Sequence, residues 1–279
     1  MLIININEKP LLSIPSVSVA AGGAGIEEKH IPVLWGIVDQ LPDELDALLI
    51  TADLQAYDSL DKPVYARRLL GHIVAQEMSM MAEFGLIPAA QRTGVILAGD
   101  FYALPELNRR GGLGDVEEIW CDFAHDFRWV VGVAGNHDQF KGKCEFANVF
   151  RRWTNIYPLD GDFIKLDNLS IAGISGILGK PEKPWRHSPK EWNRKSQRLL
   201  TQAPDILVLH EGPDIPETRL AGQKEVRSVL NKVKTQTVVV CGHCYWKSPV
   251  VSLSESVQVL NVDSRVVLLT RESGLKAWE

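Results

Sequence analysis

The chain has 279 residues, 45% of them hydrophobic, and a formal net charge of −5. That length supports a sizeable core, and the mild acidity removes any overall electrostatic case for a DNA binder. Four cysteines over this length exclude a disulfide scaffold, and no apolar run approaches a membrane helix.

The amino-terminal MLIININEKP has no basic residues ahead of its short, broken apolar run, so a cytoplasmic protein is expected. Residues 1–45 read as an extension packed on a domain that occupies 46–279. Within the extension, 2–6 suits an edge strand, 17–25 a loop rich in Ala and Gly, and 30–38 a short strand. The turn signal LPDEL then leads into a strand over 48–53. Pro63 suits a first helical turn, and Val64, Leu69, Leu70, Ile73, Val74, Met78 and Met81 recur at helical spacing. That helix runs to about Glu83. A strand over 94–97 follows, then the glycine-rich loop RRGGLGDV, a helix over 117–127 and a strand over 129–133. Residues 163–166 and 169–174 read as a hairpin about Asp167 and Asn168. Residues 175–195 are rich in Gly, Pro, Trp and basic side chains, with helix expected over 188–200. Strand 205–210, helix 220–233 and strand 237–241 follow. Residues 257–262 and 265–270 read as a closing hairpin about Asp263 and Ser264. The alternation of strand and helix argues α/β, and the late hairpins argue a mixed sheet.

Five of these strand-like runs end in residues that bind metals or move protons. Asp53 closes LLITAD, Asp100 closes VILAGD, Asn136 and His137 follow WVVGVAG, His210 closes DILVLH, and His243 follows TVVVCG. Ligand groups in open α/β sheets gather at the carboxyl ends of strands. In this order, and with GNHD directly after an apolar strand, the five blocks resemble the calcineurin-like metallophosphoesterase superfamily over roughly residues 46–270. The resemblance implies a four-layer αββα sandwich, two mixed β-sheets flanked by helices, with two divalent metals at its site. It also implies that Asp53 binds the first metal, Asp100 bridges both, and Asn136, His210 and His243 bind the second. His137 would then sit beside the scissile phosphate. Asp138 either orients His137 or caps a turn. Two metals about 4 Å apart lower the pKa of the water between them. Imidazole and amide oxygen suit manganese, zinc and iron. The loose transition state of phosphoryl transfer needs charge stabilisation more than covalent help, and His137 can protonate the leaving oxygen.

Two positions depart from the family pattern. Gln55 stands where Asp-x-His is usual, and Tyr245 replaces the second His of Gly-His-x-His. Both missing imidazoles belong to the first metal, so a weaker first site is expected. Gln at this position occurs in a manganese-associated branch that includes ADP-ribose and CDP-alcohol hydrolases. Manganese is therefore the expected metal, with iron or zinc as alternatives. A phenol has a pKa near 10 and ligates well only to a strongly acidic metal. Tyr245 is left open between ligating metal, bonding a ligand and yielding its place to water.

Arg109 and Arg110 are candidates for phosphate contact in the glycine-rich loop. Trp185, Arg186 and His187 lie in a long loop that either recognises a nucleotide-like group or is pinned to the body by its tryptophan. Cys241-Gly242-His243-Cys244 is also a C-x-x-C string, a thiol redox signal, though no helix convincingly follows it. The reading that results is a metal-dependent phosphoesterase acting on a small mono- or diester, nucleotide-like in one version. A catalytically weakened metal- or nucleotide-binding protein of the same fold, and a thiol redox protein, are the alternatives. Neither a membrane nor a disulfide partner is expected.

Overall fold

The computed structural model describes residues 1–279 apart from 21, 22, 24, 110, 142–145 and 273–279. The first sheet takes β1 (Ile3–Ile6), β2 (Leu12–Val19), β3 (Ile26–Val38), β4 (Ala47–Ala52), β5 (Thr93–Leu97), β6 (Trp129–Gly132) and β7 (Ile156–Pro158). The second takes β8 (Asp162–Leu166), β9 (Leu169–Ile174), β10 (Ile206–Glu211), β11 (Thr237–Gly242), β12 (Val250–Ser252) and β13 (Val257–Asn261), and β14 (Arg265–Arg271) returns to the first. The first sheet runs β1-β3-β14-β4-β5-β6-β7, with β2 paired along β3, and the second runs β8-β9-β10-β11-β13-β12.

The central strands are apolar throughout because both of their faces are covered. Alternation along β4 shows the division. Leu48 and Ile50 join Ile96, Val131, Ile171, Val208 and Val240 in the layer between the sheets. Ala47 and Leu49 face the other way, toward α1 (Leu70–Glu83) and α2 (Glu117–Asp126) through Leu70, Val74, Met78, Trp120 and Phe123. On the far side, α3 (Pro189–Leu200) and α4 (Lys224–Leu230) lay Trp192, Leu199, Val226 and Leu230 on Leu207, Leu209 and Val239. Helices, sheet, sheet and helices make the expected four-layer αββα sandwich. The β8–β9 hairpin turns on Asp167 (φ 46°) and Asn168 (φ 63°), the left-handed pair that a two-residue hairpin requires.

Residues 1–45 supply β1, β2 and β3 of the first sheet, and β3 sits between β1 and β14, parallel to β14 from Val33 opposite Val266 to Val38 opposite Arg271. Three expectations need correction. Residues 17–19, read as loop, belong to β2; the alternation of Ser and Val in SVSV is a strand signal that the following Ala-Gly run masks. The helix after Pro63 begins at Leu70, because Leu69 is drawn out to bridge Tyr57, leaving Val64–Ala66 as a separate 3₁₀ turn. Nor is there a closing hairpin. β13 pairs with β11 and β12 in one sheet and β14 with β3 and β4 in the other, so the chain crosses between sheets at Asp263 and Ser264. Both strands are apolar on both faces, and each takes an interior place that buries both.

Candidate metal centre

β4, β5 and β6 of one sheet and β10 and β11 of the other lead into the site. Asp100, His210 and His243 offer one ligand atom each within 4.8 Å of one another. Asp53, Asp100 and His243 all have left-handed backbone, with φ of 55°, 61° and 66°. Such conformations cost a non-glycine residue on the order of 1–3 kcal/mol and cluster at functional sites. The surrounding network holds them. Asp138, fully buried, accepts the backbone N–H groups of Asp100, Phe101 and Gly135, each at 2.8 Å. Asp100 Oδ1 accepts the His137 N–H at 2.8 Å, and Asp53 Oδ2 accepts the His243 N–H at 2.8 Å, tying the two sheets together. These approaches explain two glycines of the sequence blocks. A Cβ on Gly135 would lie 2.0 Å from Asp100 Oδ1, and one on Gly242 would lie 2.1 Å from Asp53 Oδ2.

The electrostatics are those of an anionic cage. Burial, then Asp263, pushes the Asp53 carboxyl well above its usual range, with His210 partly offsetting both. Burial works to raise Asp100 as well, but the His210 charge beside it holds it below the usual range. Burial alone would depress the His210 imidazole; Asp100 and then Asp53 outweigh it and push it up to about 10. Burial and the neighbouring His210 push His243 down to about 4, the neutral form that ligates. Asp138 is raised to about 6 by burial and by Asp100.

The donor set fits a divalent cation. His210 Nδ1 lies 2.8 Å from Ala98 O, the outer hydrogen bond that orients a ligating imidazole. Its Nε2, 3.3 Å from Asp100 Oδ2 but not aligned to bond it, is buried without a hydrogen-bond partner, as is Asn136 Oδ1. Buried polar atoms left unpaired in a native fold call for an explanation. A cation bound by Asp100, Asn136, His210 and His243 supplies one.

The other half of the site is different. Gln55 turns its amide nitrogen to Asp100 Oδ2 at 3.2 Å, so a ligand role needs that amide rotated by half a turn. Tyr245 lines the same cavity as Asp53 and Gln55, is 62% exposed, and lies under the Arg265 guanidinium, 4.7 Å from the ring centre. His137 stands at the opening. Its Nδ1 lies 2.6 Å from Gly112 O and its Nε2 4.0 Å from Asp100 Oδ2. Gly112, not Asp138, orients that ring, since the Asp138 carboxylate is taken up by backbone N–H groups.

The remaining sequence candidates divide. Arg109 lines the cavity, and Arg110 lies outside the described residues. Trp185 is a pin: its Nε1 donates to Asp138 O at 2.8 Å and its ring meets Phe146 edge-on. His187 is buried, 2.9 Å from Ser175 O, and holds the same loop. Of that trio, Arg186 borders the metal centre, its charge reaching His243 and Glu211. The redox reading fails on geometry and charge. No helix follows β11, Cys241 is fully buried, and burial raises both thiols, Cys244 to about 11, where a reactive Cys needs the reverse.

Three groups at the site escaped the sequence reading. Glu211 is buried, raised by burial, 3.8 Å from His243 Nε2, and accepts the Leu178 N–H and the Gln223 amide at 2.8 Å each. Its signal was present, an acid directly after a ligand His. Asp263 is buried at the sheet crossing, where it raises Asp53. Arg265 is buried behind Tyr245 and has no motif to announce it.

No curated protein matches the chain in sequence. Among solved structures, phosphopantetheinyl hydrolase from Mycobacterium tuberculosis aligns at 13% identity over 84% of this chain and 92% of that one, with a TM-score of 0.43. A protein of unknown function from Aquifex aeolicus, AQ665, aligns at 11% identity over 80% and 95%, with a TM-score of 0.36. The sequence profile of the calcineurin-like phosphoesterases matches residues 40–244, which include Asp53, Asp100, Asn136, His210 and His243, and the chain belongs to that family of phosphoester hydrolases.

Proposed function

We infer that the protein is a metal-dependent hydrolase of a small phosphoester. The observation that carries this is the meeting of Asp100, His210 and His243 with two buried, unpaired polar atoms, Asn136 Oδ1 and His210 Nε2. In this reading Asp100, Asn136, His210 and His243 hold one divalent metal, and Asp53 and Gln55, with Asp100 shared, hold a second more weakly. The neutral amide of Gln55 favours manganese over zinc. When bound, the metals supply Lewis acidity toward the phosphoryl oxygens and lower the pKa of water at the site. The protein does the rest. Asp138 keeps the Asp100 and Asn136 loops in register. His137, fixed through Nδ1, presents Nε2 at the opening and hands a proton to the leaving oxygen. Arg109 and Arg186 add positive charge for a phosphate that the carboxylates would otherwise repel.

Metal analysis of the purified protein, joined to a screen of phosphomonoesters and phosphodiesters, tests this. Turnover that a chelator abolishes and manganese restores is expected. Tight metal binding with no turnover on any ester would favour a binding protein of the same fold.

A further inference from the structure

A cavity of about 450 Å³ opens beside the weaker half of the metal centre. Asp53, Gln55 and Tyr245 form one end of it. Gln55 reaches Asp100 directly, and Gly111, also on the wall, packs so closely on the His137 ring that a Cβ there would lie 2.6 Å from Cε1. The cavity is therefore one residue removed from the ligand cluster, through Gln55, and one from the ring assigned to the leaving oxygen, through Gly111.

Its other walls mix apolar side chains, Val19, Ile31, Leu54, Leu104 and Leu107 among them, with polar and charged ones, including Ser18, Glu27, Lys29, His30 and Arg109. Val19 and Ile31 come from the β2–β3 hairpin, which lies outside the stretch shared with the family. That hairpin is fastened to the site. Val17 and Tyr57 exchange backbone hydrogen bonds at 2.8 and 2.9 Å, and the Tyr57 hydroxyl donates to Ala103 O at 2.9 Å. Val17, Val19, Tyr57, Ala103 and Leu107 form a small core of their own, separate from the three larger ones. Leu107 is held there with φ of 48° and is 3% exposed. A left-handed leucine is costly, and its burial in this small core offsets the strain. A cavity of this size, lined by apolar side chains interspersed with polar ones, suits a small organic ligand.

We propose that this cavity takes the organic group of the phosphoester, an extended apolar chain or ring larger than methyl, and that the β2–β3 hairpin sets substrate choice. The proposal rests on the phosphoesterase reading above, with the phosphate at the metal end and the organic group along Ile31, Leu54 and Leu104.

A series of p-nitrophenyl alkyl phosphates, from methyl to octyl, tests it through nitrophenolate release with manganese present. Each buried methylene should raise kcat/KM by roughly threefold until the cavity is full. Ser18, half-buried on β2, and Lys29, exposed on β3, also line the cavity. Ser18→Trp and, separately, Lys29→Trp should flatten the series at least tenfold at octyl while leaving the methyl ester within twofold and the melting temperature unchanged. A flat series in the unaltered protein, or the same slope in both folded variants, overturns the proposal. Binding of methyl and octyl phosphonate by calorimetry separates its failure from that of the phosphoesterase reading. Chain-length dependence that is absent from the tryptophan variants supports the cavity even if no ester is turned over. Equal binding of the two phosphonates removes it even if esters are hydrolysed.

Discussion

The two halves of the metal centre are built from the same strand ends and have different character. On one side, Asp100, Asn136, His210 and His243 gather with two buried polar atoms left unpaired, which a cation would satisfy. On the other, Gln55 spends a donor on Asp100, Tyr245 is largely exposed against Arg265, and the space opens into a cavity. Each replacement removes an imidazole from the same side. The comparison shows one family scaffold closing around metal-type side chains on one side while opening into a cavity on the other.

The strongest attempt to break this picture is Asp100→Ala. Asp100 belongs to both halves, and its loss should cost most bound metal and several kcal/mol of catalysis, on the order of a thousandfold in turnover. Metal content and hydrolysis measured together check this, and an active, metal-loaded variant would end the two-metal reading. Glu211→Ala probes the enclosed half from behind. The Glu211 carboxylate stands 3.8 Å from His243 Nε2, beyond hydrogen-bond reach, and acts on that ring by charge, so manganese titration should show a loss of about tenfold, the low end for an outer group of a ligating imidazole, in the tighter of two binding steps. If the weaker step moves instead, the halves have been assigned the wrong way round.

Restoring imidazole on the open side is a smaller change. Gln55→His with Tyr245→His should tighten the weaker step by about tenfold and shift preference toward zinc. No response in either quantity would show that the two replacements do not define the difference between the halves. Asp167→Asn, at the β8–β9 turn, serves as a control. Arg128 first, then Trp129, holds the Asp167 carboxyl below its usual range, through bonds at 2.6, 2.6 and 2.7 Å. Its stabilisation is therefore complete above the unfolded carboxyl value near 4 and is lost as pH falls through the folded one. With both partners partly exposed, the change should cost about 1–2 kcal/mol at neutral pH and flatten the acid limb of stability. Both metal steps should be unmoved, and a shift in either would show the centre to be sensitive to distant loosening.

What could be read from the sequence was what strands and their ends declare locally. Continuous apolar runs announced β4, β5, β6, β10 and β11, and the blocks after them announced the side chains that gather at the strand ends. Asp167-Asn168 was legible because its turn is made by neighbours. Asp263-Ser264 carried a similar signal and misled, since nothing local tells whether β14 pairs with β13 or with strands more than 200 residues away. The same blindness hid the β2–β3 hairpin, whose strand signal runs into an Ala-Gly loop, and the Arg265 guanidinium. Trp185 and Arg186 are adjacent and were read alike. Only the fold separates the pin from the charge beside the metal centre.

The place of β14 bears on how the molecule assembles. Its partners are β3 on one side and β4 on the other, although it lies more than 200 residues after both. Until it arrives, the β1–β3 strands and the β4–β7 strands face each other across a missing seam, each with an unpaired edge. Long-range pairing of this kind is slow and leaves such edges exposed to wrong partners. On the ribosome, the wall bearing Ile31 and the strand ends bearing Asp53 and Asp100 are thus synthesised early and joined late. Folding of the first sheet is set by the emergence of residues 265–271, and a chain stopped before them would hold two half-sheets, each a template for aggregation.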